Sequence, residues 1–151
     1  MAQCAQPQPQ EEVPAFFPRT KRSKIIMPQN DTMTSANIRY LLAIKSLHDA
    51  GRPVRGVRLA SMLAVRKSSV HSMLEVFLSR GWIEKSADGQ IRFTEQGLDV
   101  AERYQAYYDR LRAVLHPLLP PMTEIQNAVC ALLAEIPEAD LRNMKSAVQQ
   151  A

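Results

Sequence analysis

Cysteine is nearly absent from this chain, which excludes several classes at once. Cys4 and Cys130 are the two cysteines among 151 residues. They form neither a disulfide framework nor a paired-cysteine zinc site, and a reducing, cytoplasmic setting is expected. No apolar run approaches the ~20 residues that a membrane helix needs. The N-terminus lacks the apolar segment of a secretory signal. There is no glycine-rich phosphate loop and no His-Glu metal motif. Asp99, Glu102 and Asp109 follow helical spacing and read as a solvated face. No enzyme and no membrane partner are expected.

What is present is a charge pattern. Residues 35–94 hold 10 Lys and Arg against 4 Asp and Glu, a balance of +6. Residues 95–151 hold 5 against 8, a balance of −3. A basic segment gathers near polyphosphate, because neutralising phosphates releases counterions. Ordinary surface variation is the alternative. Residues 1–34 read as a disordered tail, rich in Pro and Gln without a period. Its cluster Arg19-Thr20-Lys21-Arg22-Ser23-Lys24 is either a solvated arm or an accessory phosphate contact.

The apolar periodicity predicts helices at about Ser35–Asp49, Val57–Ala64 and Ser68–Arg80. Ser35 and Ser68 are the expected N-caps. Val57, Leu59, Ala60 and Leu63 are expected to be buried. Two β-prone runs, Trp82–Lys85 and Gln90–Phe93, flank Ser86-Ala87-Asp88-Gly89, a hairpin signal. Thr94 then caps a long helix, about Glu95–Leu115. Thr123-Glu124-Ile125-Gln126 has the form of a capping box opening a helix to about Ala134. A last helix follows Pro137 and runs to about Gln149.

Helix, helix, helix, hairpin is the order of a winged helix-turn-helix, expected over about Ser35–Gly97. A helical dimerisation segment is expected over 98–151, giving a mainly α fold. The second helix of such a unit offers its N-terminal end to the DNA major groove. Here that end carries Arg66, Lys67, Ser68, Ser69, His71 and Ser72. Lys85 and Arg92 on the wing, with Arg55 and Arg58 at the start of helix two, are the expected phosphate contacts. Double-stranded DNA is the expected partner. The long helix carries Tyr104, Tyr107, Tyr108, Leu111 and Leu115. Tyr104, Tyr108, Leu111 and Leu115 are the expected interface of a homodimer. Its two recognition helices would lie about one DNA turn apart. A winged-helix protein-interaction module without DNA contact is the alternative; on that view Ser68 is only a cap and Lys85 only an edge-strand charge.

The stretch Ile38–Ala101 resembles the diphtheria toxin repressor and manganese-transport regulator family of bacterial metal-dependent repressors. The resemblance lies in Tyr40-Leu41-Leu42-Ala43-Ile44, in Val54–Ala60 and in Lys67–Leu74. It continues through Leu78-Ser79-Arg80-Gly81-Trp82-Ile83 and Phe93-Thr94-Glu95-Gln96-Gly97. It implies a dimeric regulator, a repressor, responsive to Mn²⁺ or Fe²⁺. The ligand set departs from the family. The positions corresponding to its metal ligands hold Arg39, Tyr108, Arg112, Gln126, Cys130, Leu133 and Ala134. Of these Cys130 alone is a ligand type, and two arginines would repel a dication. Cys130 stays open between a buried small hydrophobe and a ligand of a rearranged site.

Overall fold

The computed structural model describes residues 33–119, 121 and 124–144. The expected tail therefore lies outside the described residues except for Met33 and Thr34. So do Thr123 of the expected capping box and the last helix beyond Met144. The elements in chain order are α1 (Ser35–Asp49), α2 (Gly56–Leu63), α3 (Lys67–Ser79), β1 (Ile83–Lys85), β2 (Ile91–Phe93), α4 (Glu95–Leu115), α5 (Ile125–Glu135) and α6 (Glu138–Asn143). The described residues are thus mainly helical with one small antiparallel hairpin, an arrangement compatible with a winged helix.

Helix α1 is the centre of the molecule. Helices α2, α4 and α5 all pack against it. Ile38, Leu41 and Ile44 have no solvent exposure, and Tyr40, Leu42 and Ala43 on other faces are buried too. A helix apolar on most sides has to sit inside others. Lys45, also buried, ends on the carboxylate of Asp49 at 2.7 Å. Thr34 is the N-cap, its hydroxyl accepting the Asn37 N–H at 3.1 Å. Ser35, the expected cap, is the first helical residue instead.

Helices α2 and α3 both end in left-handed residues. After α3 this residue is Gly81, with φ +69°. The Trp82 N–H donates to the Phe77 carbonyl at 3.0 Å and the Gly81 N–H to Leu78 at 3.0 Å. The Phe77 and Trp82 rings lie 5.5 Å apart across this closure, the hydrophobic contact such an ending favours. After α2 the same pattern falls on Ala64, with φ 53°. The Val65 N–H donates to Ala60 at 3.0 Å. Alanine in this region costs about 1–2 kcal/mol that glycine would not.

Strands β1 and β2 pair antiparallel, with Ile83 opposite Phe93, Glu84 opposite Arg92 and Lys85 opposite Ile91. Val54, from the loop between α1 and α2, joins them, its carbonyl accepting the Ile91 N–H at 2.9 Å. The hairpin is fastened to α4 by Thr94. Its hydroxyl donates to the Gly81 carbonyl at 2.6 Å and accepts the Gly97 N–H at 3.0 Å. Its N–H donates to the Trp82 carbonyl at 3.0 Å.

Two sequence expectations need correction here. Val57 is 63% exposed. It stands two residues before Leu59, about 200° around the helix, so burying Leu59 turns Val57 outward. Tyr104 is not an interface residue. It is 3% exposed and Tyr107 2%, both inside the chain's own core. Helices α1 and α5 supply the cover that was assigned to a second chain. The core is also continuous across Gly97. Val129, Cys130, Leu133 and Leu141 belong to the same cluster as Ile38, Leu41 and Ile44.

Candidate nucleic-acid interface

Five neighbouring segments carry the residues singled out from the sequence: the ends of α2 and α3, the turn between them, and the two strands. Arg55, Arg58, Arg66, Lys67, Ser68, Ser69, His71, Ser72, Lys85 and Arg92 are all exposed. Arg66 is the N-cap of α3, and Lys67 is its first residue. Ser68, the expected cap, is the second helical residue and does not cap; its carbonyl accepts the Ser72 hydroxyl at 3.1 Å. Val70 points the other way and is 1% exposed. The buried Val70 and Phe77 therefore fix which face of α3 meets solvent, and the polar start is on it.

The helix starts differ: α2, α3, α5 and α6 all lack a side-chain cap, and what sets α2 and α3 apart is an arginine at the cap position. Thr34 caps α1 and Thr94 caps α4 through hydroxyl bonds to the backbone. Helix α2 begins after Arg55 and α3 after Arg66, with no side-chain cap and no acidic residue in the first turn. The first N–H groups of a helix lack intrahelical partners and carry partial positive charge. Left uncapped beside a cation, they form a receptor for anionic oxygen.

On the wing Arg92 faces Glu84 across the strands. Asp88 in the turn bonds to the Ser86 hydroxyl, and this bond first, with Arg55 nearby, holds its carboxyl below the usual carboxylate range. The Arg55 guanidinium lies 3.8 Å from that carboxylate, so the start of α2 and the wing turn are in contact. His71 stands 3.6 Å from Glu75 one helical turn on.

The fold adds a residue not singled out from the sequence. Arg52 lines a cavity of about 580 Å³ together with Arg55 and Arg58, over Leu47, Val57 and Met62. Gly51-Arg52-Pro53 reads in sequence as a helix break. The pairing of Val54 with Ile91 ties this loop to the wing. Arg52, Arg55 and Arg58 recur every third residue, and that spacing is the local signal of the group.

The metal positions have a different character. Cys130 has no solvent exposure. Burial pushes its thiol up to about 11, only partly offset by the positive charge of Arg39 nearby. Metal binding needs thiolate, so the local field opposes it. Burial likewise raises the Tyr108 hydroxyl, with Cys130 and Arg112 among its neighbours. Asp109 and His116 line a shallow surface cavity with Arg112. Among the described residues no three His, Cys, Asp or Glu side chains gather into a metal site. The described residues at these positions do not fit Mn²⁺ or Fe²⁺.

No family model matches the chain, and no curated protein sequence does. Solved structures do share its fold. One is a hypothetical protein, SSo2273, from Sulfolobus solfataricus, at 19% identity and TM-score 0.55. The match covers 78% of this chain and 91% of that one. At this identity the likeness is one of fold alone. Among the described residues no helix is long and apolar enough to cross a membrane.

Proposed function

We propose that this chain is a sequence-specific, double-stranded DNA-binding transcription regulator built on a winged helix-turn-helix. Helices α2 and α3 form the two-helix unit, α3 is the recognition helix, and β1–β2 is the wing. The observation that carries this is the start of α3: uncapped, without acid, exposed, and flanked by Arg66 and Lys67. Such an end suits the major groove, where Ser68, Ser69, His71 and Ser72 reach base edges. Arg55, Arg58, Lys85 and Arg92, joined by Arg52, take the flanking phosphates and set register.

The regulator acts as a homodimer, with a revised interface. On α4 an apolar stripe recurs at 100, 104, 107, 111 and 114 and continues at 118, spacings of four and three that repeat every seven residues. Val100, Tyr104 and Tyr107 are buried in the chain, whereas Val114 is 47% and Leu118 72% exposed. The partly buried Tyr108, Leu111 and Leu115 lie between these extremes. The outer end of the stripe is where a second copy seats. The positions matching the family's ligands, Arg39 and the burial-raised thiol of Cys130 among them, do not favour Mn²⁺ or Fe²⁺, so control through these metals is not part of this reading.

Selection of bound duplexes from a random DNA pool tests the whole reading. Enrichment of a pseudo-palindrome with half-sites about one helical turn apart supports it. No enrichment, with a protein partner recovered in pull-downs, would support the interaction-module alternative.

A further inference from the structure

Between α3 and the hairpin lies a cleft of about 210 Å³. Its floor is apolar, formed by Val70, Leu74, Leu78, Ile83 and Ile91, with Val57 at its edge. Lys67 from α3 and Lys85 from β1 stand on its rim, beside His71 and Glu75. We propose that this cleft binds a small aromatic anion, and that its occupant competes with DNA. The competition rests on the DNA-binding reading above; the ligand site does not.

Size, surface and charge set the ligand class. A dry apolar cavity of about 150 Å³ admits benzene, so this cleft holds one substituted ring but not a large cofactor. Leu74 and Leu78 are only partly buried, and Val57 is exposed. Each is an apolar group that this chain leaves uncovered and that the face of a ring would cover. Gly56 belongs to the same wall: a β-carbon there would meet Val70 at 3.8 Å and Leu74 at 3.9 Å, ordinary contact distances. The rim selects the sign of charge. Glu75 stands 3.6 Å from His71 and brings one negative charge to a rim that carries two lysines. Lys67 and Lys85 have no ion-pair partner among the described residues. A carboxylate on the ring would pair with either lysine while the ring lies on the leucines. Both lysines also belong to the proposed DNA interface, so ligand and DNA draw on the same cations.

The test uses the full chain and 4-chlorobenzoate, with 4-chlorobenzamide as neutral isostere and acetate as ringless anion. Amide shifts of Gly56, His71 and Gly89 are followed by heteronuclear NMR without DNA. Saturable shifts at these residues with Kd on the order of 1 mM are expected for so small a ligand. The benzamide should bind at least about 3-fold more weakly, and that preference should shrink in Lys67→Met and Lys85→Met, exposed changes that leave the fold intact. At ten times its Kd the benzoate should raise the apparent Kd for DNA about 10-fold by simple competition, and acetate should not. No saturable shift, equal shifts from benzamide or acetate, or shifts away from the cleft would overturn the site. Cleft shifts with unchanged DNA affinity would overturn the competition. A chain that binds no DNA would fail the regulator reading while the NMR still decides the cleft.

Discussion

A β-carbon on Gly97 would lie 1.7 Å from the carbonyl oxygen of Trp82. Gly97 sits in the first turn of α4, and Trp82 leads into the wing. The wing is therefore held against α4 by backbone meeting backbone, with Thr94 bonded to both sides. Since the obstacle is a carbonyl and not a side-chain tip, it has no rotamer to escape into. Gly97→Ala should destabilise the chain by about 3 kcal/mol, the upper part of the range for overpacking. For this size that lowers the melting temperature by about 6–12 °C. Thermal unfolding followed by circular dichroism measures it. An unchanged midpoint would mean the junction is looser than described.

The left-handed Ala64 gives a change of opposite sign. Ala64→Gly relieves the β-carbon clash at φ 53° and should stabilise by about 1 kcal/mol, some of the gain being lost to the more flexible unfolded glycine. The midpoint in urea should rise with no change in slope. A lower midpoint would show that the alanine methyl packs usefully in the turn.

Cys130 makes a pH-dependent prediction. Its thiol is raised from 9.0 to about 11 by burial. Between those values the unfolded chain has released this proton and the folded chain still holds it. The contribution of the thiol to stability is thus complete below pH 9 and lost as pH rises toward 11. The stability difference between wild type and Cys130→Ala should narrow between about pH 8 and about pH 10.5. Alkylation of Cys130 in the folded chain at neutral pH should also be slow, since thiolate is on the order of 100-fold scarcer than in an unperturbed thiol. Rapid alkylation would reopen metal binding at this position.

The exposed end of the α4 stripe predicts how the dimer can be broken. Val114→Glu together with Leu118→Glu should convert dimer to monomer in sedimentation velocity while the helical signal is unchanged. These two residues are 47% and 72% exposed, so the chain's own core does not need them. Tyr104→Ala should instead unfold the chain, by about 3–5 kcal/mol. A double variant that stays dimeric would place the interface elsewhere.

The order of elements was legible because each leaves a local signature. Val70 and Phe77 stand seven residues apart on one face of α3, and Asp88-Gly89 marks the hairpin turn, where Gly89 adopts φ +78°. Positions decided by distant parts of the chain were not legible. Val57 has the right residue type for a core and sits on the wrong side of α2. Tyr104 reads as surplus apolar area until α5 folds back over α1 and α4. Ser68 has the cap's chemistry, but α3 starts one residue earlier, at Lys67. Arg52 joins Arg55 and Arg58 at a three-residue spacing that the sequence does carry, and the pairing of Val54 with Ile91 holds that loop against the wing. Side-chain type and spacing thus located the candidate interface, while its edges depended on tertiary contacts.

The most direct measurement is DNA affinity over a salt series for wild type and for the double variant Arg66→Ala, Lys67→Ala. Each phosphate contact contributes about 0.9 to the slope of log K against log salt. Loss of two cations at the start of α3 should weaken binding at least about 10-fold at moderate salt and flatten the slope by about 1–2. Far-ultraviolet circular dichroism of the variant should match wild type, because both side chains are exposed. An affinity and a salt slope identical to wild type would contradict the assignment of α3 as the DNA-reading helix.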